Sequence, residues 1–281
     1  MLKIPIWIEV SIIQYVCYNG EITEECLVPL DQGLLYGYGV FETINVSSGK
    51  LVFFQEHMER LKSSAALLGL EFGQTSEQLM VDCEKLIEKN QIDKGGLRVT
   101  LSKSEKKNAI IITARENHYG DEVFKQGVSI GVSDYARNEQ SLLVAIKSNN
   151  YLENLLILND SKKRGFNEAV FFNTKGYLAE GTMSNIFLIR DQKVYTPAQD
   201  SGILPGIVRD KVITLLKKHK IPVAEGYYTR ETLMNADEIF ITNSLMEIMP
   251  VKQLENLKFQ VTSESFTNYL KNLYKKEYDI V

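Results

Sequence analysis

The residues best suited to chemistry are an acid, Glu180, and a Gly-Ile turn that follows it along the chain. Glu180 opens the run Glu-Gly-Thr-Met-Ser-Asn-Ile-Phe, and Gly206-Ile207 leads into Val208 and Arg209. A buried carboxylate can pair with a charged ring nitrogen, and the free amide groups at a helix start can hold a phosphate. Together they predict a site for a ligand that carries both groups.

A third residue, Lys147, could supply a nucleophilic amine. It follows the apolar run at residues 142–146, so we expect it at the end of a strand that opens into a cleft. Desolvation at such a position lowers the pKa of an ammonium group and favours the neutral amine. A Schiff-base lysine, a partner for the ring nitrogen and donors for the phosphate are what pyridoxal phosphate requires of its protein.

A fourth residue, Arg60, shares a predicted helix face with His57 and could donate charge-assisted hydrogen bonds to a phosphate. Each residue alone has a plainer interpretation. A lysine after a strand is usually at the surface, an acid at a strand end is usually a solvated turn residue, and an arginine on an amphipathic helix is usually exposed. A Pro-Gly turn before a helix is also common, so the argument rests on the combination.

Composition excludes several classes of protein. The 281 residues are 44% apolar and 24% charged, as in ordinary globular proteins with one large or two medium domains. The net charge of -4 argues against a nucleic-acid binder. No run has the length of a membrane helix, and the apolar N-terminus lacks a cleavage site, so neither a membrane span nor a signal peptide is predicted.

Cysteine and histidine positions indicate the compartment and exclude a metal site. Cys17, Cys26 and Cys83 are odd in number and lack metal-ligand spacing, which fits a reducing cytoplasm better than a disulfide framework. The three histidines are too scattered to bind a metal ion, and no dinucleotide or P-loop fingerprint occurs.

The pattern of elements predicts an α+β fold of two domains, since strands come in runs with helices between them. Residues 1–133 form a smaller N-terminal domain, of which 1–16 are a possible extension, and residues 141–281 form a larger cofactor-binding domain. The polar segment 134–140 is the predicted linker. Periodicity predicts a hairpin at 40–54, helices at 55–68, 76–90 (with a serine N-cap), 152–164, 207–219 and 230–235, and strands at 97–101, 109–114, 128–132, 169–173, 177–180, 186–189, 194–195, near 223 and 238–242. The lysine-rich segment 268–277 is expected to be a solvated helix face.

The motifs, taken together, resemble the fold-type IV pyridoxal phosphate family of branched-chain aminotransferases, D-amino acid aminotransferases and 4-amino-4-deoxychorismate lyases. Residues 31–43, Asp-Gln-Gly-Leu-Leu-Tyr-Gly-Tyr-Gly-Val-Phe-Glu-Thr, look like its N-terminal signature. His57-x-x-Arg60-Leu61 looks like its phosphate-arginine helix, and residues 180–209 fit its central pattern. The resemblance extends from about Tyr18 to the C-terminus and implies the two-domain fold of that family.

The resemblance also implies a role for each site residue. Lys147 would bond covalently to the cofactor and act as catalytic base, and Tyr151 would hydrogen-bond its phenolic oxygen. Glu180 would pair with the ring nitrogen. The phosphate would be held by Arg60, the backbone of Ile207 and Val208, and Ser244. Many relatives have a threonine at position 208, so here a backbone donor remains and a hydroxyl contact is lost.

The subfamily is indicated by residues 241–251, Ile-Thr-Asn-Ser-Leu-Met-Glu-Ile-Met-Pro-Val, which are most similar to the aminodeoxychorismate lyases. D-amino acid aminotransferases carry an Arg-x-His carboxylate trap, whereas Arg98-Val99-Thr100 keeps only the arginine. The resemblance therefore implies elimination of pyruvate to give 4-aminobenzoate for folate biosynthesis, with Tyr36, Arg98 and Leu245 as candidate substrate residues. It implies a homodimer in which Tyr36 or Tyr38 approaches the partner's site. The alternatives are an aminotransferase of D-alanine or branched-chain amino acids, and a non-catalytic homologue that kept the fold.

Overall fold

The protein is described by a computed structural model that covers residues 15–24 and 30–280. The predicted extension lies almost wholly outside these described residues, and so does Cys26. The described chain forms two sheets with helices packed against them. The helices are α1 (Gln32–Tyr36), α2 (Phe54–Leu67), α3 (Ser76–Lys89), α4 (Asp121–Gln126), α5 (Leu152–Lys163), α6 (Ile207–Lys218), α7 (Arg230–Met234) and α8 (Phe266–Tyr278).

The first sheet has six antiparallel strands in the order β2-β1-β6-β5-β3-β4. Side chains alternate along its third strand, so Val40, Ile44 and Val46 join the core with α2 and α3, while Asn45 bonds to the second half of the chain. The strands are β1 (Val16–Tyr18), β2 (Glu21–Thr23), β3 (Gly39–Ser47), β4 (Lys50–Leu51), β5 (Gly95–Ser102) and β6 (Ala109–Arg115).

The predicted helices at 55–68 and 76–90 correspond to α2 and α3, and each end agrees to within one residue. The second of them, α3, begins with a capping box in which the Thr75 side chain accepts from the Gln78 amide and Gln78 accepts from Thr75. Thr75 is therefore the N-cap, and the prediction of Ser76 was wrong by one residue. The Ser76 hydroxyl instead accepts a hydrogen bond from Lys62 at 2.6 Å.

The second sheet is mixed and has nine strands, eight of them in the order β12-β11-β10-β13-β14-β7-β8-β9, with β15 paired to β14. Helices α6 and α8 enclose a core on it around Phe187 and Phe240, whose rings stack at 4.7 Å between centroids. The strands are β7 (Val128–Val132), β8 (Glu168–Phe172), β9 (Leu178–Gly181), β10 (Asn185–Arg190), β11 (Lys193–Pro197), β12 (Val223–Gly226), β13 (Glu238–Asn243), β14 (Glu247–Leu254) and β15 (Leu257–Lys258). No helix within the described residues is long and apolar enough to cross a membrane.

Two strands of the second sheet depart from the predicted organisation. Strand β7 lies before the predicted linker, yet it pairs in parallel with β14 and β8 and so belongs to the second sheet. Strand β14, absent from the predicted elements, pairs with β13 and β7 at the centre of that sheet. The change of sheet therefore occurs between β6 and β7, and the α+β class is confirmed.

Candidate active site

Lys147 lies where the chain passes along β3. The Phe41 amide donates to the Lys147 carbonyl at 2.8 Å, and Ser148 bridges to Val40, so this segment is fixed to the first sheet. The ammonium nitrogen is 4.6 Å from the centroid of the Phe41 ring and 5.2 Å from that of Tyr151. Burial, and then the positive charge of Arg60, lower the pKa of Lys147 to about 8.

The apolar run before Lys147 is a turn, and the prediction of a strand there was wrong. Its amides bond locally, from Val144 to Ser141 and from Ile146 to Leu143, and Leu142 is 91% exposed. Ile146 alone of the run is buried in the core. A short apolar run does not distinguish a buried strand from a surface turn, because the burial of its side chains depends on the rest of the fold.

Arg60 joins the first sheet to the start of α6. Its Nε and one Nη donate to the two carboxylate oxygens of Glu42, both at 2.7 Å, and its other Nη donates to the Pro205 carbonyl at 2.7 Å. Burial would raise the pKa of Glu42, but Arg60 and His57 outweigh it and hold that pKa at about 2. The guanidinium is therefore anchored beside the helix start with a neutralised charge.

The first turn of α6 provides amide donors. Gly206 is the N-cap residue and no side chain caps the helix there, so the amides of Ile207 and Val208 are free to bind an anion. The Asn185 amide donates to the Leu204 carbonyl at 3.0 Å, and a Cβ on Gly206 would lie 1.9 Å from Asn185 Oδ1. Only glycine fits this approach. The Val208 side chain points into the core, so the residue offers its backbone alone.

Glu180 is buried at the end of β9. It accepts from Arg137 Nη2 at 2.9 Å, from the Leu204 amide at 2.9 Å and from Asn185 Nδ2 at 3.3 Å. Burial raises the pKa of Glu180 to about 7, although Arg137 opposes the rise. The carboxyl group is thus held in a fixed orientation and can share a proton with a partner near neutral pH.

Arg137 was missed by the sequence reasoning because it lies inside the predicted linker. This segment is fixed on the second sheet, where the Arg137 amide donates to the Phe172 carbonyl at 2.8 Å and its guanidinium donates to Asn154 Oδ1 at 3.0 Å. In the sequence, Glu42 was noted only as part of the segment 31–43 and His57 only as part of the His57-x-x-Arg60-Leu61 motif, and neither was given a role. Their roles depend on contacts with Arg60 and Ser244 that no local pattern shows.

Tyr151 and Ser244 complete the predicted cofactor set. Tyr151 precedes α5 and packs edge-on against Phe41, with 5.4 Å between centroids. Burial raises its pKa above the ordinary value for tyrosine, so the phenol is a neutral donor. Ser244 Oγ is 3.4 Å from Nε2 of His57, and His57 lies one helical turn before Arg60 on α2. The charges of Arg60, Glu42, Arg98 and Glu180 all act on the Lys147 amine.

Of the three predicted substrate residues, Arg98 contacts the Phe41 ring that Lys147 also approaches, Leu245 packs against β5, and Tyr36 is exposed. The Arg98 guanidinium carbon is 3.5 Å from the centroid of the Phe41 ring, and Nη2 donates to Asn149 Oδ1 at 3.1 Å. Leu245 abuts β5, since a Cβ on Gly96 would lie 2.8 Å from its side chain. Burial, and then Arg115, lower the pKa of Arg98 to about 10. Tyr36 is 71% exposed at the end of α1, so its ring lies on the surface of the chain.

These residues fit a phosphorylated aldehyde cofactor. Lys147 offers an amine of lowered pKa, Glu180 a buried acid, and α6 an uncapped helix start that Arg60 adjoins. Asn185 contacts both Glu180 and the loop before α6, so the acid and the helix start are rigidly connected. The Glu180 carboxylate therefore suits a protonated ring nitrogen as an acceptor, and the donors at the start of α6 suit the phosphate.

Comparison with known proteins gives relatives along nearly the whole chain. It is 30% identical to the aminodeoxychorismate lyase of Bacillus subtilis over 275 residues, which are 92% of this chain and 93% of the relative. It is 31% identical to the branched-chain-amino-acid aminotransferase of Escherichia coli over 87% of this chain and 86% of the relative. It is 33% identical to the D-alanine aminotransferase of Listeria monocytogenes over 81% of this chain and 82% of the relative.

Solved structures share the fold. The branched-chain aminotransferase of Escherichia coli superposes with a TM-score of 0.87 at 28% identity, over 94% of both chains. A putative 4-amino-4-deoxychorismate lyase from Legionella pneumophila superposes with a TM-score of 0.83 at 30% identity, over 90% of this chain and 96% of the other. These matches confirm the predicted two-domain fold of type IV. The model of the family described as amino-transferase class IV matches residues 39–254, and the chain belongs to that family.

Proposed function

We propose that this protein is a pyridoxal phosphate-dependent 4-amino-4-deoxychorismate lyase. It is an enzyme of the class IV family, whose relatives are lyases and aminotransferases. The observation that carries the proposal is Arg98, whose guanidinium carbon lies 3.5 Å from the centroid of the Phe41 ring, the ring that the Lys147 amine approaches to 4.6 Å, while Thr100 stands where the D-amino acid aminotransferases carry the histidine of their carboxylate trap. A cation on an aromatic wall suits a flat carboxylated ring, and the Bacillus subtilis lyase supports this substrate. The product would supply folate biosynthesis.

The cofactor is pyridoxal phosphate. A branched-chain amino acid aminotransferase from Thermobaculum terrenum, 25% identical over 94% of this chain and 93% of the other with a TM-score of 0.84, was crystallised in its holo form with this cofactor. In this chain Lys147 would bond to the cofactor, Glu180 would hold the ring nitrogen and Tyr151 the phenolic oxygen. Arg60, Ser244 and the Ile207 and Val208 amides would hold the phosphate.

Lys147 acts as the base in the proposed reaction. When bound, pyridoxal phosphate supplies a ring that withdraws electrons and stabilises negative charge at the amine-bearing carbon. The neutral Lys147 amine takes the proton from this carbon, and the electron pair forms a ring double bond as the ether C–O bond breaks. The departing enolpyruvate takes up a proton at its methylene carbon and becomes pyruvate. The remaining ring is aromatic and is 4-aminobenzoate.

Product analysis tests the proposed function. Purified protein loaded with the cofactor is incubated with aminodeoxychorismate, and 4-aminobenzoate is followed by fluorescence. We expect 4-aminobenzoate in the absence of any keto acid. The runner-up is an aminotransferase, which the 31% identity to the Escherichia coli enzyme favours. Absence of 4-aminobenzoate, with rapid amino transfer from D-alanine or a branched-chain amino acid to 2-oxoglutarate, would show that the lyase assignment is wrong.

The lowered pKa of Lys147 predicts how cofactor loading depends on pH. Only the neutral amine attacks an aldehyde, so the rate at which apoprotein takes up pyridoxal phosphate should rise with pH, with a midpoint near 8. Stopped-flow absorbance measures this rate, and free N-acetyl-lysine, with a pKa of about 10.4, serves as the reference. A midpoint close to that of the free amine would contradict the buried, cation-flanked position of Lys147.

Arg98 is predicted to bind a substrate carboxylate. Replacement by glutamine removes a charge-assisted hydrogen bond of about 1.5–3 kcal/mol, so we expect KM to rise about 10- to 100-fold with kcat changed little. Arg190→Gln, at an exposed position of β10, is the matched control. Steady-state kinetics with aminodeoxychorismate give KM and kcat for both variants. An unchanged KM in Arg98→Gln would show that Arg98 does not bind the substrate carboxylate.

We also propose a homodimer. The leucine patch consists of Leu34, Leu35 and Tyr36 on α1 with Leu152, Leu155 and Leu156 on α5, all exposed. The two helices are neighbours, since Asn150 Nδ2 donates to the Gly37 carbonyl at 3.1 Å. Exposed apolar side chains on neighbouring helices are typical of an interface, and a second copy is the partner that the sequence resemblance implies.

Charge within the leucine patch should prevent association. The double variant Leu35→Lys, Leu155→Lys is expected to sediment as a monomer, because burying two unpaired charges in an interface is unfavourable. Leu67→Lys is the matched control, since Leu67 is 74% exposed on α2. Analytical ultracentrifugation measures both, and a dimer that persists in the double variant would place the interface elsewhere.

We propose that the enzyme is cytoplasmic, because free cysteines are typical of proteins in a reducing compartment. Cys17 and Cys83 are free and buried, and burial, followed by the charge of Asp82, raises the pKa of Cys17 to about 11. Such thiols are unreactive and behave as small apolar core residues.

A further inference from the structure

His57 is a buried residue that the reaction does not use and that connects two charged parts of the site. It is 1% exposed on α2, with Nδ1 2.8 Å from Glu42 Oε2 and Nε2 3.4 Å from Ser244 Oγ. Glu42 is at the same time held by the Arg60 guanidinium. The imidazole thus lies between a buried carboxylate and the hydroxyl assigned to the phosphate.

The hydrogen-bonding capacity of His57 is restricted by Glu42. The carboxylate is ionised and only accepts, so Nδ1 must carry a hydrogen. Nε2 is then the one ring atom whose state can change. It is a bare acceptor in the neutral imidazole and a donor in the imidazolium.

The state of Nε2 determines what Ser244 can offer an anion. If Nε2 is bare, it accepts the only hydroxyl hydrogen of Ser244, and the serine presents lone pairs to its other side. If Nε2 carries a hydrogen, it donates to Ser244 Oγ, and the hydroxyl hydrogen is released for an anion. In the first arrangement the hydroxyl could donate to a phosphate oxygen only by leaving the buried Nε2 without a partner, so the second arrangement favours phosphate binding.

The charges that face His57 come from three segments. Glu42 on β3 favours the imidazolium, whereas Arg60 on α2 and Lys147 beside β3 oppose it, and Ser244 is neutral. Glu56, next to His57 on α2, also interacts with it and is paired with Lys211. Burial, the largest influence, lowers the pKa of His57 in the free protein. A phosphate dianion beside Arg60 would add negative charge and reverse the balance.

We propose that His57 is a proton-linked positioning residue, which takes up a proton when a phosphate monoester binds at Arg60 and the start of α6 and thereby turns the Ser244 hydroxyl into a donor. This inference rests on the phosphate site of the proposed function and is independent of whether the enzyme is a lyase or an aminotransferase. Glu42 holds the ring so that the exchange occurs at Nε2 alone.

Proton uptake on binding tests the proposal. Pyridoxamine 5'-phosphate is titrated into apoprotein by calorimetry at pH 7.5 in buffers of different ionisation enthalpy, because this probe forms no bond with Lys147. Wild type should take up between about half and one proton more than His57→Gln, whose amide can donate to Ser244 but does not titrate. The affinity of wild type should also fall up to about tenfold per pH unit at alkaline pH, while that of His57→Gln falls less.

Two further measurements separate the possible failures. Ser244→Ala should keep the proton uptake and lose affinity, and if both Ser244→Ala and Arg60→Ala bind the probe like wild type, the phosphate site itself is wrong. Isotope-labelled histidine gives a test without substitution, since wild type has three histidines and the His57 ring signal should move to the imidazolium position on binding. Equal proton uptake in wild type and His57→Gln, or a ring signal that stays neutral, would overturn the proposal.

Discussion

Lys147→Ala is expected to fold normally, to bind pyridoxal phosphate without a covalent bond, and to lose about 10³-fold or more in turnover. The amine is the predicted base, and loss of a general base costs about 10²–10⁴-fold. Stability should be nearly unchanged, since Lys147 forms no ion pair within hydrogen-bond distance among the described residues and its burial disfavours the charged form. The visible spectrum and the rate of 4-aminobenzoate formation measure the two losses.

Controls for Lys147 are available on the same chain. Lys175→Ala removes an exposed lysine and should leave both the spectrum and the turnover unchanged. Small primary amines such as ethylamine should restore part of the turnover of Lys147→Ala, because they can occupy the space and take the proton. A variant that keeps the wild-type spectrum and rate would exclude Lys147 as the cofactor-binding residue.

Glu42→Gln is expected to destabilise the apoprotein by about 3–5 kcal/mol, as does removal of one partner of a buried ion pair. Because a glutamine amide accepts at one oxygen only, Arg60 would lose one of its two bonds to this side chain and its ion pair, and would keep the bond to the Pro205 carbonyl. Cofactor affinity should fall as well, because fewer bonds would fix the Arg60 guanidinium beside α6. Urea unfolding at pH 7 measures the stability.

The pH dependence distinguishes this effect from a loss of packing. The pKa of Glu42 is lowered to about 2 in the folded protein, so its contribution is complete above the unfolded pKa of about 4.3 and is lost as pH falls towards 2. The stability difference between wild type and Glu42→Gln should therefore shrink in acid. Glu59→Gln, on the exposed face of α2, should stay within about 0.5 kcal/mol of wild type. A difference that is constant from pH 7 to 3 would contradict the ion-pair explanation.

The sequence predicted those parts of the molecule that depend on neighbours along the chain. Helix α6 was predicted from its apolar period and its Pro-Gly start, and the structure has it at Ile207–Lys218. Lys147 and Glu180 were found from their types and flanking residues, and in the structure each charge influences the pKa of the other group. Local pattern is sufficient where a periodic face or a turn residue decides the conformation.

Contacts between distant residues explain what the sequence did not predict. Arg137 and Glu180 are 43 positions apart, and nothing near Arg137 indicates the carboxylate that it binds. Strand β7 follows β6 along the chain but pairs with β14, more than a hundred residues later. The sequence of the exposed turn before Lys147 resembles that of a strand because its leucines are apolar. Apolar residues are also typical of a surface that binds a partner, so their presence does not require burial within the chain.

The stoichiometry of turnover without a keto acid tests the central claim most directly. Elimination returns the cofactor in its aldehyde form, whereas amino transfer leaves the amine on it and stops until a keto acid is added. We predict that aminodeoxychorismate alone yields 4-aminobenzoate and pyruvate in equal amounts over many turnovers, with the wild-type visible spectrum preserved. Release of no more than one product per active site, with conversion of the cofactor to pyridoxamine phosphate, would contradict the account.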